Sequence, residues 1–236
     1  MSFFRDFLKM FKKREIVLVE SGKESEEVYT FRFKKDSDVN WIAGQHGLFS
    51  ITHKKIKNAL KPFTVSSAPT ENYIQLTMRI GHNPSEFKRA MLELKPGMKV
   101  NMTGPVGTFH PGDTGRPLVM IAGGIGITPF RSILKQIEAE ARSGGNPIHL
   151  LYLDSKQSYL FQEELEELAG HLPLHVTYLD TRDDLHREID TLTAKYKNDG
   201  QYLIAGPKSM VSDIAAFVQN KQISKRNIKK DSFFGY

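Results

Sequence analysis

Up to about residue 112 the apolar positions fall in short runs, at residues 16–19, 28–33, 47–51, 63–65, 73–80 and 98–102, rich in β-branched and aromatic side chains and separated by turn residues. Alternation within such a run turns one set of side chains to a core and the other to water, so each run predicts a β-strand. A helical stretch at 84–92 interrupts them, and Pro96-Gly97 and Gly104-Pro105 punctuate the later part. Six short strands at this spacing predict an all-β antiparallel Greek-key barrel.

Beyond Pro111 to Gly115 the pattern changes character. Apolar runs at 118–122, 148–153, 174–179 and 202–205 are continuous rather than alternating, which fits strands buried on both faces. Amphipathic stretches at 128–142, 161–168, 189–196 and 209–221 lie between and after them and predict helices. Strand and helix in regular succession predict an α/β domain with a parallel sheet. The organisation expected is an amphipathic N-terminal helix over 1–13, a β-barrel domain over 14–112 and an α/β domain over 113–236.

A chain of 236 residues has room for two such domains. It contains no cysteine, which excludes disulfides, thiolate metal sites, cysteine nucleophiles and a cysteine-held iron–sulfur cluster within it. The eight histidines are scattered without ligand spacing, so no metal site is expected. No apolar run reaches the roughly 18 residues a spanning helix needs, and no cleavable leader is visible. The expected location is cytoplasmic, with peripheral contact at the inner membrane face as the variant that the N-terminus allows.

The formal net charge is +6, but it is concentrated at the ends. Residues 1–14 hold five basic groups against Asp6, and residues 221–231 hold five against Asp231. The body between is close to neutral, which argues against a nucleic-acid partner, whose binding needs a basic stripe on the folded surface. At the N-terminus Phe3, Phe4, Phe7, Leu8 and Phe11 occupy an arc of about 140° on a helical wheel, with Arg5, Lys9, Lys12 and Lys13 opposite. Two readings compete for this stripe. It packs on the remainder of the chain or a second copy, or it lies on an anionic membrane or in a partner's groove.

The richest local chemistry is in Ile121-Ala122-Gly123-Gly124-Ile125-Gly126-Ile127-Thr128-Pro129, which follows an apolar strand and opens a helix. Glycines let the chain turn sharply and leave room for a phosphate near the amides. Thr128 is expected to cap the helix and Pro129 to occupy its first position, leaving free N–H groups and the positive dipole end for a pyrophosphate. A tight turn without a ligand would show the same residues. A second cluster, Lys61-Pro62-Phe63-Thr64-Val65-Ser66-Ser67-Ala68-Pro69, sets a cation, an aromatic ring and three hydroxyls on one short strand. Alternation turns Lys61 and Phe63 one way and Pro62 and Thr64 the other. A planar cofactor lying there would use amides and the Thr64 hydroxyl at its ring edge and Lys61 at its phosphates. An edge strand with surface serines is the plainer alternative.

Taken with Gly44-Gln45-His46, Lys95-Pro96-Gly97, Gly104-Pro105-Val106-Gly107, Gly206-Pro207-Lys208-Ser209-Met210 and Phe233-Phe234-Gly235-Tyr236, these motifs resemble, in order, the ferredoxin–NADP reductase-like superfamily of flavoprotein reductases, from about residue 14 to the C-terminus. The resemblance implies an FAD-binding barrel over 14–112 and an NAD(P)-binding domain over 113–236. FAD and either NADPH or NADH are the implied cofactors, their two rings meeting for hydride transfer. Lys61, Phe63 and Thr64 stand where the family has an arginine, a tyrosine and a serine or threonine beside the flavin. Lysine keeps the charge without the two-pronged guanidinium, and phenylalanine keeps the apolar surface without the phenol. Thr64 keeps the hydroxyl near the hydride-accepting nitrogen. Met78, Arg79 and Ile80 count with them as cofactor-binding candidates, as does Ser85, read both as a helix cap and as a pyrophosphate contact.

For the nucleotide the candidates are Gly123, Gly124, Gly126, Thr128, Asp154, Lys156, Gly206, Pro207 and Met210. Ala205 replaces the family's usual cysteine. Asp231 and Phe233 look like the family's terminal acid and aromatic, and Phe233 or Tyr236 is expected over the flavin face. With Thr64, these three form the catalytic set. Asp154 suits ribose hydroxyls, whereas Ser155, Lys156 and Arg182 suit a 2′-phosphate, and the balance tips to NADPH. The activity implied is an NAD(P)H-dependent reductase passing electrons to a separate one-electron acceptor, whether ferredoxin, flavodoxin, a haem protein or a ferric compound. The alternative is a non-catalytic module of the same architecture, recruited through its N-terminal helix.

Overall fold

The computed structural model describes residues 13–112, 115–140 and 145–233. The stripe at 1–12 and the terminal Phe234, Gly235 and Tyr236 lie outside the described residues. The chain divides into two compact units between Thr108 and Phe109.

The first unit is built on β1 (Arg14–Lys23), β2 (Val28–Lys34), β3 (His46–Ile51), β4 (Leu60–Thr64), β5 (Tyr73–Arg79) and β6 (Lys99–Val106), with helix α1 (Glu86–Leu92) between the last two strands. The strand order is β4-β3-β6-β1-β2-β5, and neighbours run antiparallel. Strand β2 shows why the pattern folds this way. Phe31 and Phe33 point inward and are buried, while Arg32 between them points out to Glu20 and Gln75. Past β4 the chain continues to Ser66, whose N–H donates to the Gln75 carbonyl of β5 at 2.8 Å. That bond joins the two edge strands and closes the barrel. The interior is filled by Phe31, Phe33, Phe49, Leu76, Phe87 and Met102 among others. Strand β1 runs beyond the predicted 16–19 because its polar end pairs through the main chain with β2, which needs no apolar side chain.

The second unit carries β7 (Leu118–Gly123), a 3₁₀ turn at Gly124–Ile127, α2 (Thr128–Ala139), β8 (Ile148–Leu153), α3 (Gln162–His171), β9 (Leu174–Leu179), α4 (Arg182–Tyr196), β10 (Gln201–Pro207), α5 (Lys208–Asn220) and β11 (Ile228–Phe233). The sheet order is β11-β10-β7-β8-β9, all parallel. All six residues of β7 are buried, as expected of a central strand. Two elements differ from the sequence reading. Helix α4 starts at Arg182, a turn and more before the predicted 189, because Thr181 accepts a hydrogen bond from the Asp184 N–H and Asp183 and Asp184 sit in its first turn. Strand β11 was absent from the sequence reading; Ile228 is its one buried residue and main-chain bonds to β10 hold it. Among the described residues, no helix is long and apolar enough to cross a membrane.

Candidate cofactor sites

From β7 the chain steps out to β8 and β9 on one side, then returns to place β10 and β11 on the other. In an open parallel sheet, ligands sit beyond the carboxyl ends of the strands where the order reverses. Here those ends are Gly123 and the Gly206-Pro207 turn, and they interlock. A β-carbon on Gly126 would lie 2.3 Å from the Ala205 carbonyl oxygen and 2.8 Å from the Gly206 Cα. One on Gly123 would lie 2.2 Å from the Met210 sulfur, and one on Gly206 3.2 Å from the Gly123 oxygen. Gly124 adopts φ +52° to start the 3₁₀ turn. The glycines expected to make room for a phosphate therefore first let two strand-end turns touch main chain to main chain.

Thr128 is not the cap the sequence suggested. The 3₁₀ turn precedes α2, so Thr128 is its first residue and Pro129 its second, and the buried Thr128 hydroxyl donates to the Ile125 carbonyl at 3.1 Å. The Met210 side chain belongs to the hydrophobic core, and a β-carbon on Gly123 would meet its sulfur. Asp154, just past β8, is buried, and its Oδ1 accepts from the Lys156 N–H at 2.8 Å while its carbonyl accepts from the Gln157 N–H. It shapes the loop that carries Lys156. Register sets Asp231 beside Ala205 and Phe233 beside Pro207, so both half-buried residues arrive at the same end of the sheet as the interlocked turns.

In the barrel, cross-strand partners share a face. Lys61 pairs with Phe49 and Phe63 with Gly47 on the inner face, and Pro62 pairs with Leu48 and Thr64 with His46 on the outer. The Phe63 ring packs 5.4 Å from Phe87 and 6.3 Å from Phe49, so one side of it belongs to the core. Of the three hydroxyls in the 61–69 segment, two are internal. Ser66 donates to the Gln75 carbonyl and Ser67 to the Tyr73 carbonyl, and Ser67 also accepts the Gln75 N–H. The Thr64 hydroxyl makes no hydrogen bond among the described residues, which leaves it for a ligand. Burial pushes the facing His46 imidazole below its usual pKa, keeping it neutral at pH 7.

At the end of β5, Met78 and Ile80 are core residues, and only their main chain is available to a cofactor. Ser85 caps α1 by accepting the Lys88 N–H at 3.4 Å. Lys88 escaped the sequence reading. Burial first, and then the nearby Arg79 charge, hold its amine below the ordinary value. A signal for it existed: Lys88 is three residues past the Ser85 cap, in the helix that follows the strand ending at Arg79. Thr64, Arg79 and Lys88 are the barrel's candidate groups toward a cofactor, and the strand-end turns are those of the second unit.

The oxidoreductase FAD-binding domain model matches residues 15–110, and the oxidoreductase NAD-binding domain model matches residues 120–216. A flavohemoprotein of Xylella fastidiosa is 28% identical over 132 residues, 54% of this chain and 33% of that protein. The toluate 1,2-dioxygenase electron transfer component of Pseudomonas putida is 28% identical over 120 residues, 50% of this chain and 34% of its own length. The matches thus span about a third of each relative. A ferredoxin NADP+ reductase from Neisseria gonorrhoeae, solved with bound FAD and NADP, shares the fold with a TM-score of 0.78 at 18% identity, covering 94% of this chain and 99% of that one. An FAD-binding barrel followed by an NAD-binding parallel sheet with interlocked glycine turns at its switch point makes this chain a member of the ferredoxin–NADP reductase-like superfamily of flavoprotein reductases.

Proposed function

We propose that the chain is an NAD(P)H-dependent FAD reductase that passes electrons to a separate acceptor, with residues 14–112 holding FAD and residues 113–236 the dinucleotide. FAD, when bound, supplies the chemistry of accepting a hydride and releasing electrons singly. The residues supply binding and orientation. In this reading the Thr64 hydroxyl, held rigid on the outer face of β4, donates at the ring edge where charge develops. Arg79, Lys88 and Lys61 neutralise the pyrophosphate. The main-chain amides of the glycine turn receive the nucleotide's phosphates, and Asp231 and Phe233 stand at the end of the sheet where the nicotinamide is presented. Lys156 and Arg182 favour NADPH as donor over NADH.

The observation that carries this reading is that the FAD-binding and NAD-binding matches fall one on each of two compact units, the barrel and the parallel sheet. The acceptor is a one-electron partner, protein or small molecule. The similarity to the electron transfer component of a dioxygenase and to a flavohemoprotein supports electron transfer to an acceptor, for which ferredoxin, flavodoxin, a haem protein or a ferric compound are the candidates. Purified chain loaded with FAD should be yellow and bleach anaerobically on adding NADPH. A chain that retains no FAD, or keeps its colour with both nucleotides, refutes the proposal.

A further inference from the structure

The segment between β8 and α3 holds two non-glycine residues in the left-handed region, Gln157 at φ +52° and Phe161 at φ +63°. A bulky residue rarely takes that conformation unless its surroundings impose it. Three elements do so here. From β8, the Tyr152 hydroxyl accepts the Leu160 N–H at 3.1 Å. From β9, the Tyr178 ring packs 4.8 Å from Tyr159. From α2, Arg131 extends its guanidinium to 5.3 Å from the Phe161 ring centre and grips Glu164 with two bonds of 2.7 Å each. Arg131 is 4% exposed. Its helix is the one that begins at the glycine turn, and a dinucleotide lying on that turn reaches next to the end of β8, where Asp154 starts this same segment.

We propose that Arg131 is a positioning residue for the dinucleotide: without touching it, Arg131 fixes the Phe161 segment in the shape that receives the nucleotide beside the glycine turn. The inference rests on reading the second unit as the dinucleotide site. A simple clip between α2 and α3 would give stability alone. A positioning residue also sets affinity, because the segment must hold its strained form before the ligand arrives.

The test is steady-state and binding analysis of three variants in the FAD-loaded chain. Arg131→Met combined with Glu164→Gln removes the pair without leaving a buried charge. Arg131→Lys keeps the charge but loses the flat face that lies over the ring. Phe161→Gly accepts the left-handed backbone without strain but deletes the ring. We expect the double variant to raise KM for NADPH about tenfold with kcat within about twofold, and the lysine variant to fall between it and the wild type. The glycine variant should also raise KM. Folded variants whose KM stays at the wild-type value, whatever their urea midpoints, overturn the inference, and if the double variant fails to fold the other two decide. Wild-type chain that no nucleotide bleaches brings down the reading of the second unit and this inference with it. Normal bleaching with unchanged variant KM brings down the role of Arg131 alone.

Discussion

Gly123 and Gly126 sit in one turn three residues apart, yet alanine should act very differently at the two positions. At Gly126 the added methyl meets main chain, 2.3 Å from the Ala205 oxygen and 2.6 Å from its carbonyl carbon, where ordinary contact begins at 3.4 Å. The turns after β7 and β10 must part by about 1 Å, a displacement large enough to cost on the order of a hundredfold in a positioned reaction. Overpacking a core in this way costs about 3 kcal/mol, which for a chain of this size lowers Tm by about 6–12 °C. At Gly123 the methyl instead meets the Met210 sulfur at 2.2 Å, the far end of a flexible side chain. Met210→Ala should therefore rescue Gly123→Ala, with a favourable coupling of about 1–2 kcal/mol in a double-mutant cycle, and leave Gly126→Ala unrescued. Thermal denaturation with the NADPH KM measured on the same samples reads both effects. A Gly126→Ala chain with wild-type Tm and KM, or one rescued by Met210→Ala, would refute the interlock as the element that sets the site.

Other expectations follow from the same contacts. Thr64→Val keeps the shape and removes the hydroxyl, so the rate of flavin bleaching should fall about tenfold or more while FAD content stays at the wild-type level; equal loss of FAD would make Thr64 a binding residue only. Lys88→Met should weaken FAD retention about tenfold; unchanged FAD affinity in an equilibrium titration would contradict a role for Lys88 at the cofactor phosphates. His149 accepts or donates to the Tyr196 hydroxyl at 2.9 Å, and burial, then His175 and Lys195, press its pKa from 6.5 to about 4. The unfolded chain then binds a proton that the folded one refuses, so stability should fall as pH drops from about 6.5 towards about 4, and level off below. After discount for its solvent exposure the loss is about 1–2 kcal/mol. His149→Gln should flatten the urea-midpoint profile over that window, and a profile identical to wild type would show that another group titrates.

The antiparallel barrel and the parallel sheet were legible because both periodicities are strong. Alternation in Val28-Tyr29-Thr30-Phe31-Arg32-Phe33 and the unbroken apolar run at 118–122 admit one reading each. Strand β11 was not legible, since Ile228-Lys229-Lys230-Asp231 looks like a charged tail and is held by hydrogen bonds to β10 that side chains do not announce. The front of α4 was missed for a related reason: its first turns are charged, and Leu185 is their one buried apolar residue. Within the candidate sites, the motifs could not say which group faces which way. Gly126 and Met210 serve contacts between segments some eighty residues apart, and Ser66 and Ser67 close the barrel. Such long-range pairings carry no local signature in one sequence.

The claim on which the account turns is direct hydride transfer from a bound reduced nicotinamide to a bound flavin. Stopped-flow bleaching of the FAD-loaded chain under anaerobic conditions, with NADPH carrying deuterium at the transferred position, tests it directly. The account predicts reduction within the enzyme's turnover time and a primary isotope effect on that step. Flavin that stays oxidised, or that bleaches at one rate with either isotope and only after release from the protein, would contradict it.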